Sequence, residues 1–131
     1  DQLDAELVPM HLYEVPHGYS KTGKSFEEFS EIMKENSKKD FKKFVSRHEK
    51  ADLECEMVLN DGRNIAIQIT EFAQKIDADL ILLGSRGRTT SAAILLGSTA
   101  EKLISYNKLL PMLIFKKKGE TMGFFDALFK I

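Results

Sequence analysis

The stretch DADLILLGSRGRTTSAAILLGSTAEKLI, residues 77 to 104, decides the fold of this chain. It opens with the apolar run Leu80 to Leu83, which has the length and composition of a short buried strand and leads into Gly84. It closes in a segment, Ser98 to Tyr106, that is predicted to be a helix. The inward-facing residues of that helix are predicted to be Ala100, Leu103 and Ile104. A strand, a glycine-containing loop and a helix therefore follow one another.

Glycines in this stretch follow the spacing G-x2-G-x9-G-S, formed by Gly84, Gly87, Gly97 and Ser98. A parallel strand brings the chain to the carboxyl edge of its sheet, where ligands bind in open α/β folds. Glycines there let backbone amides approach a phosphate, and the free amides and dipole of the following helix favour an anion. Arg86 and Arg88 add positive charge to the loop. The spacing therefore predicts a phosphate site. Ser98 and Glu101 also form a capping-box pattern, which is compatible with that role when no ligand is bound.

Strands and helices alternate on both sides of this stretch. The predicted elements are a strand within Glu6 to Pro16, a helix that begins after Ser25 and is interrupted near Asn36 to Lys39, a strand within Asp52 to Leu59, a helix from Ile65 to Ile76, and a strand from Leu109 to Phe115. The apolar face of the helix from Ile65 is predicted to comprise Ile65, Ile69, Phe72, Ala73 and Ile76. This order predicts an α/β fold with an open, mainly parallel sheet and helices on both faces.

The glycine spacing, with the strand before it and LPMLIF (109–114) after it, resembles the signature of the universal stress protein family. The resemblance extends from about Ala5 to Phe115 and implies the strand order 3-2-1-4-5. It also implies that the chain binds an adenine nucleotide, ATP or alternatively AMP or ADP and possibly with Mg²⁺, for stress response or signalling rather than as an enzyme. By the same resemblance, Leu12 lies against the adenine. The nucleotide-binding residues implied are Leu12, Gly84, Ser85, Arg86, Gly87, Arg88, Gly97, Ser98 and Thr99.

The resemblance also implies a homodimer paired through the last strand. The sequence differs from the family pattern at its start. Family members open with a strand that bears an aspartate, followed by a long helix, and both are missing from this sequence. We therefore expect a segment upstream of Asp1, or one from a partner subunit, to fill the centre of the sheet. Residues 1–131 are interpreted as one domain with a core to about residue 118. Residues 119–131 form an amphipathic tail that is predicted to dock on its own domain or on a partner subunit.

Two alternatives remain open. Gly18 to Ser25 reads GYSKTGKS, a formal match to the P-loop pattern, in which Lys24 and Ser25 would contact phosphate and magnesium. The purely structural interpretation of this segment is a polar loop followed by a capping box formed by Ser25 and Glu28. The second alternative is a dimeric interaction module that has the fold but binds no nucleotide.

Composition excludes several other classes of function. The formal net charge of -1 gives no global field that would draw the chain to nucleic acid or to an anionic membrane. A single cysteine, Cys55, permits no intrachain disulfide, and this fits a reduced, cytoplasmic setting. The three histidines, His11, His17 and His48, lie far apart in sequence and are interpreted as structural or solvated.

Overall fold

A computed structural model describes residues 4–48, 52–85 and 96–116 of the chain. Its elements are β1 (Met10–Tyr13), a short 3₁₀ turn (Tyr19–Thr22), α1 (Phe26–Ser46), β2 (Glu56–Leu59), α2 (Ile65–Lys75), β3 (Ile81–Gly84), α3 (Ser98–Tyr106) and β4 (Met112–Phe115). Strands and helices alternate, and both strand pairings are parallel. The α/β class predicted from the sequence is therefore confirmed. Within the described ranges, no helix is both long and apolar enough to cross a membrane.

The chain divides into two compact units, residues 1–61 and residues 62–131. In the first unit β1 pairs with β2, and in the second β3 pairs with β4. Among the described residues the strands thus form two pairs, where the sequence predicted one open sheet. In the predicted order 3-2-1-4-5 the opening strand of the family is strand 1, so β1 to β4 correspond to strands 2 to 5. With that correspondence each observed pair consists of neighbours in the predicted order.

The strands are shorter than predicted, and two prolines mark where they begin. Pro9 and Pro111 immediately precede β1 and β4, and a proline has no N–H to give to a ladder. Each contributes its carbonyl instead. The carbonyl of Pro9 accepts the N–H of Glu56 at 2.8 Å, and that of Pro111 accepts the N–H of Ile81 at 3.0 Å.

The first unit packs α1 against β1 and β2. Ser25 caps the helix reciprocally, since its Oγ accepts the N–H of Glu28 and its own N–H donates to the Glu28 carboxylate. Val45 is buried, and the hydroxyl groups of Tyr13 and Ser30 lie 3.4 Å apart, so the strand and the helix are also linked by polar groups.

The predicted interruption of α1 near Asn36 to Lys39 is wrong, because the helix runs without a break from Phe26 to Ser46. This segment carries polar side chains but neither glycine nor proline. Polar residues at a helix surface interrupt the apolar stripe without breaking the backbone hydrogen bonds.

The second unit packs α2 against α3. Ala66, Thr70 and Ala73 of α2 are 0%, 6% and 5% exposed, and Ala100 and Leu103 of α3 are also buried. In the predicted apolar face of α2, Ala73 is buried as predicted. The large members of that face, Ile65, Ile69 and Phe72, are only half-buried, and Ile76 is exposed. On α3, Ala100 and Leu103 are inward as predicted, whereas Ile104 is exposed.

Candidate functional site

The two ends of the predicted phosphate loop meet at the carboxyl end of β3. Gly84 is the last residue of β3, and Ser85 is buried directly after it. The N–H of Ser85 donates to the carbonyl of Phe115 at 2.8 Å and so continues the ladder with β4. The carbonyl of Ser85 accepts the N–H of Gly97, the residue that precedes α3. The loop is thus closed at its base by a backbone hydrogen bond.

Gly97, and not Ser98, is the N-cap of α3. Its φ of -67° and ψ of 161° are extended, and no side-chain hydrogen bond caps this helix. The capping box predicted for Ser98 and Glu101 is therefore wrong, because Ser98 is already the first helical residue and its hydroxyl lies one position too late.

The first turn of α3 keeps its amides available to a ligand. The first intrahelical bond runs from the N–H of Glu101 to the carbonyl of Gly97. The amides of Ser98, Thr99 and Ala100 precede it and have no acceptor within the helix. Ser98 is exposed and Thr99 half-buried, whereas Gly97 and Ala100 are buried. The helix therefore presents a partial positive charge and unpaired donors at an accessible end.

The remaining predicted site residues fall elsewhere. Arg86, Gly87 and Arg88 lie outside the described residues. Leu12 belongs to β1 in the first unit, where it is half-buried and pairs in register with Val58. The structure therefore brings together Gly84, Ser85, Gly97, Ser98 and Thr99 in the second unit, and describes Leu12 separately from them.

The P-loop-like segment uses its own amides internally. The N–H groups of Tyr19, Lys21 and Gly23 donate to carbonyls of Pro16, Gly18 and Ser20. The N–H of Lys24 lies 3.4 Å from the hydroxyl oxygen of Thr22, and Ser25 is engaged in its capping box. Phosphate binding by such a loop requires these amides to point towards the anion. In this conformation they do not.

A pair of polar side chains at the carboxyl end of the first unit's sheet escaped the sequence interpretation. Glu14 follows β1 and Asn60 follows β2, and the Asn60 amide donates to the Glu14 carboxylate at 2.7 Å. The carboxyl edge of a parallel sheet is where ligands bind in α/β folds. The sequence could have indicated Glu14 and Asn60 because each directly follows an apolar run.

Other chemical groups do not join the predicted site. Among the described residues, no group of three or more His, Cys, Asp or Glu side chains could hold a metal ion. Burial raises the pKa of the Cys55 thiol, and the Glu56 carboxylate raises it further. A groove of about 330 Å³ lies between α2 and the far end of α3, and none of its lining residues belongs to the predicted site.

Comparison with known proteins supports the same family as the sequence pattern. The model of the universal stress protein family matches residues 1–116. The chain belongs to the universal stress protein family. It is 36% identical over 118 residues to Universal stress protein MJ0531 of Methanocaldococcus jannaschii, a match that covers 88% of this chain and 68% of that protein.

The fold of this universal stress protein chain also resembles a solved structure. That structure is of hypothetical protein MJ0577, from a study described as a structure-based assignment of biochemical function. The TM-score is 0.61 at 24% sequence identity, and the match covers 87% of this chain and 77% of the other. At this identity the likeness concerns the fold alone, and it agrees with the α/β architecture described above.

Proposed function

We propose that this universal stress protein chain binds an adenine nucleotide, ATP or its relatives AMP and ADP, at the loop between β3 and α3. The phosphates lie against the first turn of α3, contacted by the amides of Ser98 and Thr99. Gly84, Ser85 and Gly97 position the backbone around them, and Arg86, Gly87 and Arg88 of the intervening loop complete the site. Mg²⁺ accompanies the phosphates where charge neutralisation requires it.

One observation carries the proposal: a helix whose first turn is uncapped begins beside the carboxyl end of a parallel strand, and a hydrogen bond between Gly97 and Ser85 holds the two together. A Ser, Thr, Asp or Asn side chain at the N-cap can accept one of these first amides, and α3 has glycine at that position. The acceptor for these amides is therefore solvent or a bound anion.

The proposed role is binding for stress response or signalling, with at most slow hydrolysis. Rapid hydrolysis requires a group that positions or deprotonates the attacking water. The described residues at the base of the loop are glycine, serine and threonine, which are ordinary partners of phosphate but weak bases. The proposed setting is the cytoplasm, and the proposed assembly is a homodimer.

The test is a calorimetric titration with ATP and Mg²⁺ of the chain and two variants at one residue, Ser98→Pro and Ser98→Ala. Proline is well tolerated at the first helical position, and the extended conformation of Gly97 suits a residue that precedes proline. Ser98→Pro therefore keeps the helix and removes one amide, whereas Ser98→Ala removes only the hydroxyl group. Loss of a hydrogen bond to a charged group corresponds to about tenfold weaker binding or more.

We expect Ser98→Pro to weaken ATP binding at least about tenfold and more than Ser98→Ala does, with thermal unfolding little changed. Lys24→Ala should bind ATP as the unmodified chain does. If Lys24→Ala abolishes binding while Ser98→Pro leaves it intact, the P-loop segment is the site and our assignment is wrong. If the unmodified chain binds no nucleotide, the chain acts as a nucleotide-independent module.

A further inference from the structure

The two faces of the β3–β4 sheet differ in how well they are covered. On one face Ile81 is buried and Leu83, Met112 and Ile114 are half-buried. On the opposite face large apolar side chains remain exposed. We call these the open face: Leu80, Leu82, Leu113 and Phe115, which are 46%, 44%, 48% and 57% exposed. Leu82 and Leu113 are register partners, so the open face is continuous across the two strands.

An uncovered apolar face is unusual for parallel strands. Parallel sheets are almost always covered on both sides, and their strands are apolar on both sides for that reason. Contiguous exposed apolar surface of this kind marks a site of contact with another element.

We propose that the C-terminal segment of the same chain, residues 119–131, covers the open face as an amphipathic helix. The segment reads GETMGFFDALFKI, and Met122, Phe125 and Phe129 recur at offsets 0, 3 and 7, with Leu128 beside them. This is the period of a helix with one apolar side. Ala127 falls on the opposite side of that helix, about half a turn away from Phe125.

Chain continuity and length favour this occupant. The strand β4 ends at Phe115, itself a member of the open face, and only Lys116 to Lys118 separate it from the segment. A helix of this length is about 20 Å long. Neighbouring strands lie about 4.8 Å apart and a four-residue strand is about 13 Å long, so a helix of this length can cover both strands of the pair. A short link also gives the segment a high effective concentration at the face, which a second copy of the chain lacks.

Disulfide trapping in the full chain tests the contact. The single native cysteine is first removed as Cys55→Ser, and Leu113→Cys is then combined with Phe125→Cys. The matched control combines Leu113→Cys with Ala127→Cys, which lies on the other side of the predicted helix. A second control combines Phe125→Cys with Ile104→Cys, because Ile104 is 46% exposed but belongs to α3. Mild oxidation is followed by non-reducing electrophoresis and mass spectrometry of the linked peptides.

We expect the Leu113–Phe125 pair to form an intramolecular disulfide at least about tenfold faster than either control, since a bond requires the two Cβ atoms to approach within about 4.5 Å. Equal rates for the pairs with Phe125 and Ala127 would overturn the proposal, because the segment would then have no fixed side towards the sheet. A disulfide between two chains would also overturn it and would identify a second copy as the occupant.

A measurement without cross-linking guards against misfolding of the cysteine variants. Phe125→Asp in the full chain should release the segment and raise the fluorescence of an apolar dye several-fold, whereas Ala127→Asp should leave it near the level of the unmodified chain. Equal fluorescence of the two aspartate variants would contradict the proposal. This inference concerns a different face from the nucleotide site, so either proposal can fail without the other.

Discussion

Gly97 and Ser98 have different positions at the N-terminus of α3: Gly97 is the N-cap, and Ser98 is the first helical residue. The N–H of Gly97 donates to the carbonyl of Ser85, and its extended backbone turns the chain into the helix. Any residue can adopt this φ, so the backbone angles by themselves do not require glycine at this buried position. Ser98 follows as the first residue whose amide is left for a ligand.

Cys55 illustrates a residue whose chemistry is set by burial. Its thiol is half-buried, and desolvation raises its pKa, with a further contribution from the neighbouring Glu56 carboxylate. An acid with a raised pKa in the folded state favours folding while it stays protonated. This contribution is present below the pKa of the unfolded chain and is lost as the pH rises through the folded pKa.

We expect Cys55 to react slowly with iodoacetamide at neutral pH, because the thiolate is the nucleophile. The pH midpoint of the alkylation rate should lie above about 8.5, the value of an ordinary cysteine. Glu56→Gln should lower that midpoint without bringing it to the ordinary value, since burial is the larger cause. A midpoint at or below that of a small thiol would show that the side chain is not desolvated.

At the level of single residues the sequence located the α3 terminus but not its cap. The S-x-x-E pattern of Ser98 and Glu101 predicted a capping box, whereas the same pattern at Ser25 and Glu28 proved correct. The two differ in which residue adopts the extended conformation. That choice depends on the hydrogen bond between Gly97 and Ser85, which are twelve positions apart and whose pairing no local pattern encodes.

The contact between α2 and α3 is the main packing feature at the scale of elements. Ala66 of α2 is fully buried, and the hydroxyl of Thr70 donates to its carbonyl at 2.7 Å. That bond satisfies a buried polar group inside the helix and leaves the small side chains free to pack. The interface holds α3, and hence its first turn, against the rest of the second unit.

We expect Ala66→Leu to destabilise the chain by about 1–3 kcal/mol, because a larger side chain cannot enter a fully buried position without displacing its neighbours. Urea denaturation followed by circular dichroism measures the change. Ala5→Leu is the matched control, since Ala5 is exposed and the same substitution there should change stability by less than about 0.5 kcal/mol. Equal denaturation midpoints for the two variants would contradict the packing described for α2 and α3.

The bounds of the helices α2 and α3 were predicted more accurately than the residues that each helix buries. The bounds predicted for α3 agree with the structure, and α2 ends one residue earlier than predicted. Apolar spacing identified these helices, but it assigned the interior of α2 to Ile65, Ile69, Phe72, Ala73 and Ile76. The buried positions are Ala66, Gln68, Thr70 and Ala73, of which only Ala73 was predicted, because hydropathy gives small and polar residues little weight.

At the scale of the whole molecule, the outer edge of β4 is the edge through which the proposed homodimer would pair. Among the described strands β4 pairs only with β3, so its second edge is open to another chain. The N–H of Ile81 donates to the carbonyl of Pro111, and with this parallel register the N–H of Ile114 points to the outer edge. A partner strand would use that N–H group.

We expect the chain to sediment as a homodimer at micromolar concentration and Ile114→Pro to sediment as a monomer, because proline removes an edge donor. Ile114→Ala is the control, since it shortens the side chain but retains the N–H group. A monomeric Ile114→Ala with a similar loss of stability would show that side-chain packing, and not strand pairing, holds the dimer. A monomeric unmodified chain would refute the proposed assembly.

The family could be predicted mainly from one stretch of sequence, residues 77–104, because glycine spacing is a local feature. The strand order came from the family resemblance and not from that stretch. The prediction that Leu12 contacts adenine rests on the family resemblance alone, because Leu12 carries no chemical feature that distinguishes it from the other apolar residues of a strand.

The most direct test of nucleotide binding at the β3–α3 loop is a nuclear magnetic resonance titration of the ¹⁵N-labelled chain with ATP and Mg²⁺. Among the described residues, the largest amide shift changes should fall at the base of the loop and the first turn of α3, namely Ser85, Gly97, Ser98, Thr99 and Ala100. The amides of the segment Gly18 to Ser25 should move little, and five of them, those of Tyr19, Lys21, Gly23, Lys24 and Ser25, are engaged in local hydrogen bonds. Changes concentrated in Gly18 to Ser25, or no changes at saturating ATP, would contradict the account.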